Sequence, residues 1–292
     1  MEKKTLLLLA FLLALFLALK SMAQKLPNRQ ETSLPAPAGI KIDGNATEWA
    51  GQYQAYNKGA QIFYTIANDN ANLYLVIHAD RSRVIEKIME GGVSFTISTS
   101  GKLNGDKNAV VLFPCLMIGE CKSILSAAGK KLSAGRVALP TDEVYNIPKN
   151  PDYVKPNKDL AEKSKVIKIT GFAAIADTIT GTAGPKNAYY RALPLRAHNF
   201  RYLPVANADN IQAATQFDAK GEYTYELSIP LKLLNMSAEK QDKFSYNITL
   251  NARGEDSRPG NTWYYSMIDR ESLNMDLENP TDLSGTYVLT KP

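Results

Sequence analysis

Histidine, cysteine and tryptophan are scarce in this 292-residue chain, with two of each. Each shortage closes a route. Neither His78 nor His198 lies near Cys115 and Cys121, and two thiolates alone do not complete a zinc shell. No cysteine-pair attachment motif flanks a histidine, so a haem or redox carrier stays only as a lesser alternative. Gly-x-Ser-x-Gly, His-Glu-x-x-His and the phosphate-binding glycine loop are all missing, which removes the common hydrolase, metalloprotease and nucleotide-handling readings. Acidic residues are numerous enough for a glycosidase pair to arise by chance, yet nothing singles one out. The sequence points away from an enzyme, and any link to an activity would be to glycan degradation.

Charge of one sign is lacking too. Lysine and arginine number 34 against 29 aspartate and glutamate, with no arginine-rich stripe or basic tract, which argues against nucleic acid as a partner. Long apolar runs are confined to one, Leu6 to Leu19, behind Lys3 and Lys4. It is too short to span a hydrocarbon core of about 30 Å comfortably but normal for the apolar region of a secretion signal. Ser21 and Ala23 supply small side chains before a cut ahead of Gln24. The expectation is a signal peptide over 1–23, a Pro-broken linker over 24–39 and one domain over 40–292. That domain would be secreted or periplasmic, with no membrane segment after cleavage. In an oxidising compartment Cys115 and Cys121, with five residues between them including Gly119, favour a small loop-closing disulfide over a pair of buried thiols.

Period-two alternation dominates what remains. Ile62, Tyr64 and Ile66 alternate with Gln61, Phe63 and Thr65, and Leu73, Leu75 and Ile77 with Tyr74, Val76 and His78. The same pattern recurs in Val93–Ile97, in Tyr223–Ile229 and in Phe244–Leu250. Such runs lay one face on a core and turn the other outward. Helical spacing is rare. It occurs at Val84, Ile85, Ile88 and Met89, and after Pro230, a good first-turn residue. The fold class read from this is all-β, an antiparallel, jelly-roll-like β-sandwich with a few short helices. Residues 100–215 form a long loop-rich insertion with strands near Val110–Phe113 and Val166–Phe172. Pro148, Pro151 and Pro156 argue against regular structure over 140–165.

Five segments carry a likeness. Ile40-Lys41-Ile42-Asp43-Gly44 leads to Glu48-Trp49, and Asp69 precedes Leu73-Tyr74 on a run ending at Asp80. Tyr225-Glu226-Leu227-Ser228-Ile229-Pro230 is followed by Phe244-Ser245-Tyr246-Asn247-Ile248, and Trp263 by Gly285-Thr286-Tyr287-Val288-Leu289. In this order they resemble family 9 carbohydrate-binding modules and their DOMON-like relatives. The resemblance implies a β-sandwich and a non-catalytic carbohydrate-binding role, with a glycan or a surface protein as partner. A stand-alone extracytoplasmic protein-interaction domain is the alternative. The middle of the chain, 100–215, is longer than the family core requires.

Sugar binding needs aromatic faces to stack on C–H patches and polar groups to bond hydroxyls. The densest supply is Arg253 and Glu255 followed by Trp263, Tyr264 and Tyr265, either a binding rim or core aromatics. A second supply is Tyr189, Tyr190 and Arg191 with His198, Asn199, Arg201 and Tyr202. Oxygen ligands at Asp69, Asn70, Asn72 and Asp80 allow either a structural calcium or ordinary turn chemistry. No other cofactor is indicated.

Overall fold

A computed structural model of the protein describes residues 26–103, 108–129, 152–173, 175, 201–252, 277 and 279–291. The expected signal segment, 1–23, lies outside the described residues. The alternating runs become strands: β1 (Ala55–Asn57), β2 (Ile62–Asn68), β3 (Asn72–Ala79), β4 (Val93–Ser98), β5 (Ala109–Phe113) and β6 (Val166–Thr170). They continue as β7 (Arg201–Pro204), β8 (Gln212–Phe217), β9 (Tyr223–Pro230), β10 (Lys243–Leu250) and β11 (Thr281–Val288). They pair antiparallel into two sheets, ordered β1-β2-β3-β9-β8 and β11-β10-β4-β5-β6-β7. The protein is a β-sandwich, as the alternation predicts.

The core lies between the sheets. From the five-stranded sheet come Tyr64, Ile77 and Tyr225, which sit opposite one another in register, and all are buried. From the six-stranded sheet come Ile248, Phe95, Val111 and Ile169, also in one cross-strand row and fully buried. Each such side chain taken from water stabilises the fold by about 1.5–3 kcal/mol before the entropy of ordering is charged against it.

The β9 strand is buried along its whole length, so its outward face is covered as well. The cover is the chain from Leu34 to Tyr53, where Leu34, Ala36, Ile40, Ile42, Ala46 and Tyr53 pack around Trp49, Ala67, Tyr74 and Val76. Over its described part, 26–39, this segment is packed and is not a loose linker. Gln30 is buried, and its amide pairs with both backbone groups of Ile66, each at 2.7 Å. In effect one side chain extends the sheet edge beyond short β1. Leu34 and Ser33 then reach β11, through the Tyr287 hydroxyl and the Val288 N–H. The segment ties the two sheets together along one side and blunts exposed strand edges.

Helix α1 (Ser82–Gly91) carries the chain from β3 to β4, with Val84, Ile85, Ile88 and Met89 buried as their spacing predicts. Two further helices, α2 (Ile118–Ala127) and α3 (Val154–Lys163), were not expected. Pro156 lies in the first turn of α3, where a missing N–H has no intrahelical partner to lose, so the proline-based exclusion of regular structure over 140–165 fails there. Helix α2 also overturns the expected disulfide. Gly119 continues a helix instead of turning the chain back, and Cys115 and Cys121 are separate thiols. The Cys121 thiol donates to the Met89 carbonyl at 3.0 Å, and the Cys115 thiol is 3.6 Å from that of Leu112. At the strand-to-turn corner, Leu227 and Ile229 point into the core, and Pro230 opens a 3-10 turn over Leu231–Leu234. Among the described residues no helix is long and apolar enough to cross a membrane.

Candidate functional site

The outward face of the five-stranded sheet gathers aromatics at one end. Register places Tyr56 of β1 opposite Phe63 of β2, Phe63 opposite His78 of β3, His78 opposite Thr224 of β9, and Thr224 opposite Gln216 of β8. With strands spaced about 4.8 Å apart, that row runs about 19 Å across the sheet. Tyr53 joins it from the covering segment. Its ring stacks on the His78 imidazole at 5.3 Å between centroids and 17° between planes, and lies 5.9 Å from Phe63. Phe63 in turn lies 4.6 Å from Tyr56 and 5.9 Å from His78. All four rings are half-buried, each keeping part of its surface in water.

Two anchors hold Tyr53 there. Upstream, Trp49 is buried and donates its indole N–H to Glu226 Oε1 at 3.2 Å. Downstream, the Gln54 N–H donates to Thr65 Oγ1 of β2 at 3.0 Å. Glu226 Oε2 also accepts the backbone N–H groups of Gly44, at 2.8 Å, and Asp43, at 3.2 Å. Gly44 suits this spot for two reasons. Its φ of +87° disfavours side chains, and a Cβ would sit 2.7 Å from the Thr215 backbone. The alternation over Tyr223–Ile229 puts Glu226 on the outward face of β9. The face is right, but the carboxylate is buried beneath the covering segment. Burial raises its pKa, and the three N–H donors only partly offset that.

Polar groups fringe the rings. His78 Nε2 is 3.2 Å from Glu222 Oε2, and His78 Nδ1 is buried with no hydrogen-bond partner among the described residues. Asp218 caps the turn into β9 by accepting the N–H groups of Lys220 and Glu222, each at 2.8 Å. The Tyr53 hydroxyl is pushed up to about 12, first by burial and then by the carboxylates of Glu226, Asp218 and Glu222. Flat rings beside an imidazole, a carboxylate and the Gln216 amide can stack on apolar patches and bond hydroxyl groups at once.

The residues singled out from sequence fare differently. Arg253, Glu255, Trp263, Tyr264 and Tyr265 lie outside the described residues, as do Tyr189, Tyr190, Arg191, His198 and Asn199. Arg201 donates to the carbonyls of Ile175 and Phe172, and Tyr202 lies under the Lys168 ammonium, 5.4 Å from ring centroid to nitrogen. Asp69 and Asp80 are not brought together, because β3 lies between them and its eight residues separate its ends by about 25 Å. Asp69 closes the β2–β3 turn through Ala71 N–H, Asn72 N–H and the Tyr74 hydroxyl. Burial acts to raise its carboxyl, and these hydrogen bonds outweigh it, leaving the pKa below its ordinary value. Among the described residues no three metal-ligating side chains gather. Tyr53, Tyr56 and Glu222 were missed, although Phe63 and His78 already stood at outward positions of adjacent strands.

No protein-family model matches the chain, and no curated protein matches it either.

Proposed function

We propose that this protein is a secreted or periplasmic, non-catalytic carbohydrate-binding domain of the family 9 module and DOMON-like kind, and that Tyr53, Tyr56, Phe63 and His78 form its sugar-binding face. One observation carries the reading. Three phenyl-type rings and an imidazole share one edge of an outer sheet face, half-buried, with Glu222 against the imidazole and Gln216 further along the same cross-strand row. A core aromatic cluster would be fully buried, and an ordinary solvated sheet face would not concentrate aromatics. The order of the five sequence segments supports the family reading, and the pairing of Glu226 with the Asp43-Gly44 turn and Trp49 gives two of them a shared structural purpose.

A glycan array with the purified domain, followed by calorimetry on the hits, tests this. Tyr53→Ala should weaken binding at least tenfold, and its urea midpoint, measured alongside, separates lost sugar contact from the lost packing of the ring on Phe63 and His78. Absence of binding across neutral and charged glycans would overturn the reading and favour a protein partner. A visible absorption spectrum of the same sample with a haem band would favour the carrier alternative.

A further inference from the structure

We propose that the aromatic face selects sugars carrying a protonated amine, that is, unacetylated amino sugars, over neutral glycans. This rests on the carbohydrate reading above and narrows it. Three carboxylates lie around the rings. Glu222 lies against His78 at 3.2 Å, Asp218 begins the same turn, and Glu226 lies beneath the covering segment beside Trp49. Glu226 takes its hydrogen bonds from Asp43 N–H, Gly44 N–H and the Trp49 indole, all neutral donors. Among the described residues no lysine or arginine forms a salt bridge with it. When ionised, a carboxylate bonded only by neutral dipoles carries an unpaired negative charge, and a low-dielectric surrounding extends its field.

The same field is felt at the Tyr53 hydroxyl, where every charged group acting on it is a carboxylate. The described cations on this side stand in water, which screens them. Arg81 is exposed and turned to Gln61, while Lys58 and Lys220 stand exposed at loop tips. A ring face attracts an ammonium through its quadrupole, and adjacent carboxylates add to that attraction. An amino sugar offers both halves of the match: C–H patches for Tyr53, Tyr56 and Phe63, and an ammonium for Glu222 and the field behind it. A neutral sugar uses only the first half, and an acidic one is repelled.

Calorimetry with a tetramer of β-1,4-linked glucosamine, its fully N-acetylated counterpart and a neutral glucan tetramer tests the proposal. Expected are binding of the glucosamine tetramer at least tenfold tighter than either other ligand, and weakening of that binding as sodium chloride is raised. In Glu222→Gln the preference should shrink several-fold. If that variant fails to fold, the salt dependence of the wild type and the loss in Tyr53→Ala carry the decision. Equal binding of the amine and acetylated tetramers would overturn the charge selection while leaving the carbohydrate face standing. Glucosamine binding that is unchanged in both Tyr53→Ala and Glu222→Gln would place the contact elsewhere and overturn the proposal. No binding of any of the three, with an empty array, would remove the carbohydrate reading itself.

Discussion

The indole N–H of Trp49 donates to the carboxylate of Glu226 across 177 residues of chain, at 3.2 Å. Its other oxygen takes the N–H groups of Asp43 and Gly44, so one side chain of β9 fastens the whole segment that covers the outer sheet face and presents Tyr53. Glu226→Gln should destabilise the protein by about 1–3 kcal/mol, since the amide turns an NH₂ group toward N–H donors on one side and leaves them unsatisfied. Urea unfolding measures this. The titration has a sign as well. Burial holds the Glu226 carboxyl above its unfolded value of 4.5, so its neutral form favours the folded state below that pH, and the benefit is lost as pH rises through the folded value. The stability of wild type relative to Glu226→Gln should therefore fall as pH rises above 4.5. A rising difference would contradict the assigned burial.

Gln30→Ala tests whether the segment before Ile40 belongs to the fold. The substitution removes the hydrogen bonds to both backbone groups of Ile66 and one to the Thr32 carbonyl. Two buried backbone groups would then stand unmatched, at a cost of about 2 kcal/mol or more. A loose linker would tolerate the change, and an unfolding curve superimposing on wild type would restore that picture.

The strands and their faces were legible because alternation is local: Tyr64, Tyr225, Ile229 and Tyr246 face inward as their spacing requires. The covering segment was not legible, because its order comes from partners far along the chain. Gln30 and Leu34 read as polar and Pro-broken linker until Ile66 and Tyr287 are placed beside them. Helix α3 hid behind Pro156, whose position within the first turn decides its effect and cannot be told from its presence. The candidate face was half legible. Phe63 and His78 stood at outward positions, but their neighbours Tyr53 and Glu222 come from loops whose placement depends on Trp49 and Asp218.

Alkaline unfolding should show a definite window. Tyr53, Tyr74 and Tyr287 are each pushed from 10.0 up to about 12, burial being the largest cause in all three and the Asp69 hydrogen bond adding at Tyr74. Their protonated forms favour the folded state below pH 10, and that stability is lost as pH rises toward 12. The urea midpoint should stay level to about pH 9 and fall steeply between pH 10 and 12. Tyr287→Phe should make the fall shallower. Native tyrosinate absorbance with every phenol half-ionised near pH 10, and no change in midpoint, would show that these phenols are not held by the fold.

Gly285 and Tyr246 sit opposite each other in the β10–β11 pairing, and the glycine is what leaves room for the ring. A Cβ at 285 would lie 2.5 Å from the Tyr246 hydroxyl oxygen and 2.6 Å from ring Cζ. The ring cannot simply swing aside, because its hydroxyl shares a 3.1 Å hydrogen bond with Tyr64 of the facing sheet, whose oxygen also accepts the Gln30 N–H at 3.0 Å. Gly285→Ala should therefore cost about 1–3 kcal/mol by overpacking. Two companion variants decide whether the clash is the cause. Tyr246→Phe removes the oxygen but leaves Cζ in the way, so it should give little relief in the Gly285→Ala background. Tyr246→Leu removes the ring end, and the pair Gly285→Ala with Tyr246→Leu should be clearly more stable than the sum of the single losses. Strict additivity in that cycle, measured by urea unfolding, would mean that the glycine is kept for its backbone and not for the tyrosine that joins the two sheets.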